Sequence, residues 1–256
     1  MKLRPYDSAD RAALTSLWQT VFGDEPAFIE DFLTNLARPG RGYAAEIDGV
    51  LAAAAYIIDG IQIDGTPWPY IYAVSTLPEY RGLGCGAAVS RACAELICRE
   101  GGVPCLHPAE RTLFDWYGKM GFAPAMRARQ AFVSSPETAP ISLTPLSPAQ
   151  YAAVRREILD GHAFADFDPA LLDWWQRGWK GRFYGFDGGC LAVCGRFVPE
   201  LLARKNAGGA LAAALESRSL VRTPALAGFA GFGDTHDCVA AIGAPATDGY
   251  FGFFFD

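Results

Sequence analysis

The chain has 256 residues, 51% hydrophobic and 20% charged, with a net charge of −6. That size suits one large domain or two ordinary ones with ample core material, and the acidic balance excludes a basic nucleic-acid-binding stripe. No apolar run approaches the ~18 to 20 residues of a membrane span and Met1-Lys2-Leu3-Arg4 opens no signal peptide, so a cytosolic protein without a membrane partner is expected.

In chain order, "LRPYDSADRAALTSLWQTVFGDEPAFIEDFLTNL" reads as a short strand and two helices, with Asp7 or Ser8 as N-cap and Leu14, Leu17, Trp18 and Val21 at helical spacing. Asp24, Glu25, Glu30 and Asp31 crowd this segment. They suit a solvated helix face, and a cationic substrate is the alternative. Beyond Pro39-Gly40, apolar runs alternate with Asp48-Gly49, Asp59-Gly60 and Asp64-Gly65, predicting an antiparallel meander of about three to four strands over residues 42–76. A glycine-rich turn follows, then a helix over residues 87–99 ended by Gly101-Gly102. "VPCLH" predicts a strand, residues 112–120 a compact helix stopped by Gly121, and "MRARQAFV" a closing strand.

"SSPETAP", residues 134–140, reads as a linker. After it the order restarts: a strand and helix in "ISLTPLSPAQYAAVRREIL", then a hairpin in "FYGFDGGCLAVCGR". "VPELLARKNAGGALAAALESRS" then parallels "LPEYRGLGCGAAVSRACAELICRE" of the first half. Trp174, Trp175 and Trp179 suit core packing or an acceptor-lining patch.

Seven cysteines, an odd number without framework spacing, suit buried thiols in a reducing compartment. Cys190, Cys194, His236 and Cys238 lack metal-ligand spacing, so no metal is expected.

The chemistry concentrates in "PEYRGLGCGAAVSRACAELICRE", residues 78–100. A strand, a glycine turn and a helix start make an anion site, because the first helical N–H groups lack partners and carry the positive end of the dipole. A P-loop would need a Gly-Lys-Ser/Thr that is not there. Gly82, Gly84 and Ala87 satisfy a relaxed dinucleotide fingerprint, but the preceding meander is not the βαβ unit that fingerprint belongs in. The third reading is R-x-x-G-x-G, Arg81-Gly82-Leu83-Gly84-Cys85-Gly86, followed farther on by "WYGKMGFAPA".

These two stretches resemble the acetyl-CoA motif and the closing helix and strand of the GCN5-related N-acetyltransferases (the GNAT superfamily). The resemblance implies an α+β fold with a mostly antiparallel mixed sheet, and transfer of acetyl from acetyl-CoA directly to a primary amine of a small, cationic acceptor. It implies that the pyrophosphate rests on the backbone of Gly82, Leu83, Gly84, Cys85, Gly86 and Ala87 beside Arg81. The pantetheine arm would run along Val74, Ser75 and Thr76, where a backbone N–H serves as oxyanion donor. Cys85 fills a spacer position and is read as structural, and Tyr117 corresponds to the acid that protonates the leaving thiolate. His107, at a strand end, has the intrinsic pKa of a base.

The opening segment, the two motifs and the second, degenerate copy resemble the enhanced-intracellular-survival type of acetyltransferase. This implies two GNAT-like domains, residues 1–135 catalytic and 136–256 degenerate, without the third domain of that type. In that type a terminal carboxylate serves as base, which points to Asp256. In the second copy Lys205-Asn206-Ala207-Gly208-Gly209 lacks the motif spacing, so this half is expected to wall the cleft rather than hold coenzyme A. The rival readings are a non-catalytic acyl-CoA-binding module and a transferase using an aminoacyl or longer acyl donor.

Overall fold

A computed structural model describes residues 1–134, 138–244 and 249–253. In the first half, β1 (Lys2–Pro5) leads through a short 3-10 turn to α1 (Arg11–Phe22) and α2 (Pro26–Asn35). Asp7 caps the turn in a capping box with Asp10, and Gly23 at φ 75 closes α1 in the left-handed conformation glycine favours. Strands β2 (Gly42–Ile47), β3 (Val50–Ile58), β4 (Ile61–Ile63), β5 (Thr66–Pro67) and β6 (Tyr70–Thr76) follow. Helix α3 (Cys85–Arg99), β7 (Cys105–Leu106), α4 (Arg111–Gly118) and β8 (Ala123–Val133) complete this half.

The second half contains β9 (Thr144–Leu146), α5 (Pro148–Leu159), β10 (Asp166–Phe167), α6 (Pro169–Gly178), β11 (Arg182–Phe186) and β12 (Gly189–Cys194). It ends with β13 (Phe197–Ala203), α7 (Ala207–Ala214), β14 (Ser219–Pro224) and β15 (Asp234–Ala241). The architecture is the expected mixture of helices and a large mixed sheet.

Two of the three Asp-Gly pairs make the predicted hairpin turns. Asp48 and Gly49 lie at φ 50 and 82, Asp64 and Gly65 at φ 49 and 75, the positive pair that matches strand twist. Asp59-Gly60 differs. Only Gly60 is left-handed (φ 92), and Arg41 grips the Asp59 carboxylate with Nε at 3.0 Å and Nη2 at 2.5 Å. There the chain leaves the main sheet, so the expected meander has five strands and β4 and β5 join β10 in a small second sheet.

The main sheet has twelve strands among the described residues, in the order β1-β2-β3-β6-β7-β15-β8-β14-β13-β12-β11-β9. Read from both ends inward, each strand of the first half meets its counterpart in the second. At the centre the halves exchange strands: β15 lies between β7 and β8, and β8 between β15 and β14. Both pairs joined through a crossover helix, β6 with β7 through α3 and β13 with β14 through α7, are parallel, as a crossover requires.

Helices α1, α2, α5 and α6 pack on one face of this sheet across both halves. On the other face α3 and α4 cover the first half and α7 the second. Strand β3 is buried on both faces, sending Ala54, Tyr56 and Ile58 to one core and Ala53, Ala55 and Ile57 to the other. Its alanines let α3 come close enough for Cys93 Sγ to reach the Ala55 carbonyl at 3.8 Å.

Candidate active site

Strand β6 opens the site. Ala54 pairs with Ser75 and Tyr56 with Tyr72, so Ala73 and Val74 together face Ala55 alone. This is a β-bulge, and Ala73 adopts φ +48, a conformation that costs a non-glycine residue about 1 to 2 kcal/mol. The bulge turns ladder groups out of register. Strand β7 pairs with β6 only at Cys105 with Tyr70, beyond which the two part. A cavity of about 420 Å³ opens there. Val74 and Ala73 line one side of it, His107 and Tyr117 another, and Asp24 and Trp179 border it from just beyond the ends of α1 and α6.

The glycine loop stands at the end of β6. Gly82 (φ +80) and Gly84 (φ +82) are left-handed, and a Cβ at either would meet nothing within 4 Å. The sequence thus keeps the loop surface bare where a bulky anion could approach. Gly84 is the N-cap of α3, and Ala88 N–H is the donor that returns to the Gly84 carbonyl, at 3.0 Å. The amides of Cys85, Gly86 and Ala87 precede that first helical bond. Gly86 is held for space, because a Cβ would lie 3.0 Å from Thr76 Oγ1 and 3.7 Å from Trp116. Arg81 is exposed, with Nε 3.4 Å from the Thr76 carbonyl, and Leu83 is exposed beside it. The buried Cys85 side chain packs under the helix.

Of the chemical groups, Tyr117 is buried against Trp116 and Phe122 at the end of α4 and lines the cavity. Burial pushes its phenol well above the ordinary value, so it carries its proton throughout the neutral range. His107 follows β7 and donates its backbone N–H to the Tyr70 hydroxyl at 3.2 Å. Its Nδ1 meets the carbonyl of Cys238, on β15. A carbonyl only accepts, so Nδ1 carries the hydrogen, and in the neutral ring Nε2 then holds the lone pair. Val74, Ser75 and Thr76 lie at the bulged end of β6, with Ser75 Oγ 3.4 Å from the Ala54 carbonyl. Asp256 lies outside the described residues.

The structure decides between the alternatives for the acidic run and for the tryptophans. Asp24 belonged to an acidic run, of which Glu30 pairs with Arg11 and Asp31 with Arg177. Asp24 instead faces the cavity and accepts the Trp18 indole N–H at 2.7 Å. The tryptophan patch divides: Trp174 and Trp175 are core, while Trp179 lines the cavity. Cys190 and Cys194 both lie on β12.

Residues 2–125 match the family described as an acetyltransferase (GNAT) domain. This part of the chain is a GNAT acetyltransferase domain. The activity this match supports is acetyl transfer. No curated protein sequence matches it. Among solved structures, a GCN5-related N-acetyltransferase from Kribbella flavida superposes with a TM-score of 0.66 at 18% identity, covering 94% of this chain and 70% of that one. Eis1 from Mycobacterium abscessus gives 0.63 at 15% identity over 94% of this chain and 73% of its own. A putative acetyltransferase from Pyrococcus horikoshii gives 0.70 at 14% identity over 99% and 94%. These likenesses show a shared fold along nearly the whole chain. The matched residues carry the bulged strand and the glycine loop on consecutive elements, β6 and α3, and Trp179, from outside the match, completes the cavity wall. Among the described residues no helix is long and apolar enough to cross a membrane, and no group of three or more His, Cys, Asp or Glu could hold a metal ion.

Proposed function

We propose that the protein transfers the acetyl group of acetyl-CoA to a primary amine of a small cationic acceptor. The observation that carries this reading is one cavity in which the bulged strand, Tyr117 and His107 meet beside the glycine loop. Acetyl-CoA supplies an activated thioester. The bare backbone from Gly82 to Ala87, with Arg81, would hold its pyrophosphate, and Val74, Ser75 and Thr76 would run beside its pantetheine arm. A backbone N–H freed at the bulge would donate to the acetyl oxygen as charge develops there.

His107 Nε2 accepts a proton from the incoming ammonium, because only a neutral amine can attack. As the new C–N bond forms and the C–S bond breaks, Tyr117 Oη donates its proton to the departing thiolate. The second proton of the acylated nitrogen returns to the Tyr117 oxygen, leaving a neutral amide, a free thiol and the first proton on His107. Tyr117 suits that task because burial keeps it protonated. The carboxylate of Asp256 is the second candidate base. Asp24 and the aromatic rings of Trp18, Phe22, Tyr72 and Trp179 around the cavity favour a cation, by charge and by the ring faces.

We further read residues 1–135 as the catalytic domain and 136–256 as a degenerate copy, supported by the mirrored strand order. In the second copy residues 138–141 cover the loop. A Cβ on Gly208 would lie 3.1 Å from Thr138 Oγ1, and the Ile141 N–H donates to the Gly209 carbonyl at 3.2 Å. A cytosolic setting is in keeping with seven free cysteines. The decisive experiment is thiol release from acetyl-CoA across a panel of mono- and polyamines, peptides and aminoglycosides. Release with cationic amines supports the proposal, and silence across the panel while acetyl-CoA still binds would leave a non-catalytic binding module.

A further inference from the structure

Arg155 of α5 and Glu200 of β13 are wholly buried in the second half, remote in sequence from the GNAT domain. Their pairing is bidentate, Nε to Oε2 at 2.6 Å and Nη2 to Oε1 at 2.9 Å. Tyr151 Oη donates to the same Oε2 at 2.6 Å. Burial opposes the guanidinium charge, but the Glu200 carboxylate outweighs it and holds Arg155 above its usual value. A desolvated pair of this kind gains little or no stability over apolar residues of equal volume. What it does define is position.

The segment it positions is Tyr250–Phe253. Gly252 sits at φ +89, and a Cβ there would collide with Glu200 Oε1 and Arg155 Nη2. The third arm of the guanidinium, Nη1, donates to the Ala165 carbonyl at 2.8 Å. Ala165 N–H then donates to the Tyr250 carbonyl at 2.8 Å, and Tyr250 N–H to the Ala163 carbonyl at 3.0 Å. Backbone on both sides of Phe251, at Tyr250 and at Gly252, is thus held against one ion pair. Between these ties Phe251, fully buried, sets its ring 6.0 Å from that of Tyr70. Tyr70 lines the cavity, and its hydroxyl accepts the His107 amide.

We propose that the Arg155–Glu200 pair is a positioning device for the acceptor cleft. Acting through Gly252 and Phe251, it fixes the Tyr70 ring and with it the backbone at His107. The catalytic consequence rests on the acetyl-transfer reading; the positional one does not.

Two variants test it. Arg155→Met combined with Glu200→Leu replaces the pair by apolar volume, and Phe251→Leu leaves the pair intact and removes the ring. In both, NMR hydrogen exchange at the His107 amide is expected to accelerate about tenfold or more, while amides of α3 and α5 exchange as in the wild type. With 1,5-diaminopentane as acceptor, KM for the amine is expected to rise about ten- to a hundredfold at unchanged KM for acetyl-CoA. Wild-type exchange at His107 in the variants would overturn the proposal, as would an acceleration spread evenly over the molecule, which marks a merely structural pair. If the double variant does not fold, Phe251→Leu decides. A wild-type protein inert toward every amine would count against acetyl transfer, and the exchange measurement would still settle the positioning.

Discussion

In the proposed mechanism Tyr117 and His107 divide the proton work by environment. Desolvation alone keeps the Tyr117 phenol neutral, so it acts as a donor and gives no alkaline limb to the rate below about pH 10, its ordinary value. Tyr117→Phe keeps the ring packing against Trp116 and Phe122 and removes the donor. It is expected to lower kcat by about a hundredfold with KM for acetyl-CoA unchanged, measured by steady-state thiol release. His107 has its tautomer set by the Cys238 carbonyl, a group 131 positions away. The His107→Ala protein is expected to lower kcat/KM for the amine about a hundredfold, and a value equal to wild type would move the base role to another group. Tyr117 was legible from its place in "WYGKMGF". The Asp24 carboxylate was not: in a run of four acids, sequence alone does not show which one turns inward to an indole N–H.

Two elements set the geometry around those side chains. In the glycine loop, positive φ at Gly82 and Gly84 means that any side chain strains the backbone, whatever space surrounds it. Gly84→Val is expected to abolish acetyl-CoA binding in calorimetry, and unchanged affinity would remove the loop from the cofactor site. In β6 the bulge depends on Ala73 at φ +48. Ala73→Val places a β-branched residue there and is expected to destabilise the fold by about 1 to 2 kcal/mol in urea denaturation, with a larger fractional loss of kcat. The loop could be read from its glycines, since they are the residues that its conformation needs. The bulge could not, because an alanine within "PYIYAVST" carries no mark of a left-handed residue. For the same reason Asp59-Gly60 resembled its two hairpin neighbours until Arg41 was seen to hold Asp59.

Over the whole molecule, the exchange of β8 and β15 makes each half complete the sheet of the other. A single calorimetric unfolding transition is expected. Two separable transitions would show that the strands contribute little to cohesion. Burial also sets an alkaline limit: Tyr6, Tyr56, Tyr117 and Tyr151 are all raised, and the Cys93 thiol is pushed up to about 12. Below the unfolded-state values, about 8.5 for a thiol and 10 for a phenol, both states hold these protons and stability is insensitive to them. Above those values the unfolded chain ionises while the native one does not, so the denaturant midpoint should fall steadily from about pH 9 upward. What the sequence determined by itself was local: the capped helices, two Asp-Gly hairpins, the glycine loop and the recurrence of strand, glycine turn and helix in both halves. Each is written in residues a few positions apart, where φ preference and helical or strand period act directly. Tertiary structure decided the central strand exchange, the Cys238 carbonyl on His107, the inward Asp24 and the wall supplied by Trp179. Those depend on which distant segments share a sheet, and pairing across a hundred residues leaves no periodic signature in the chain.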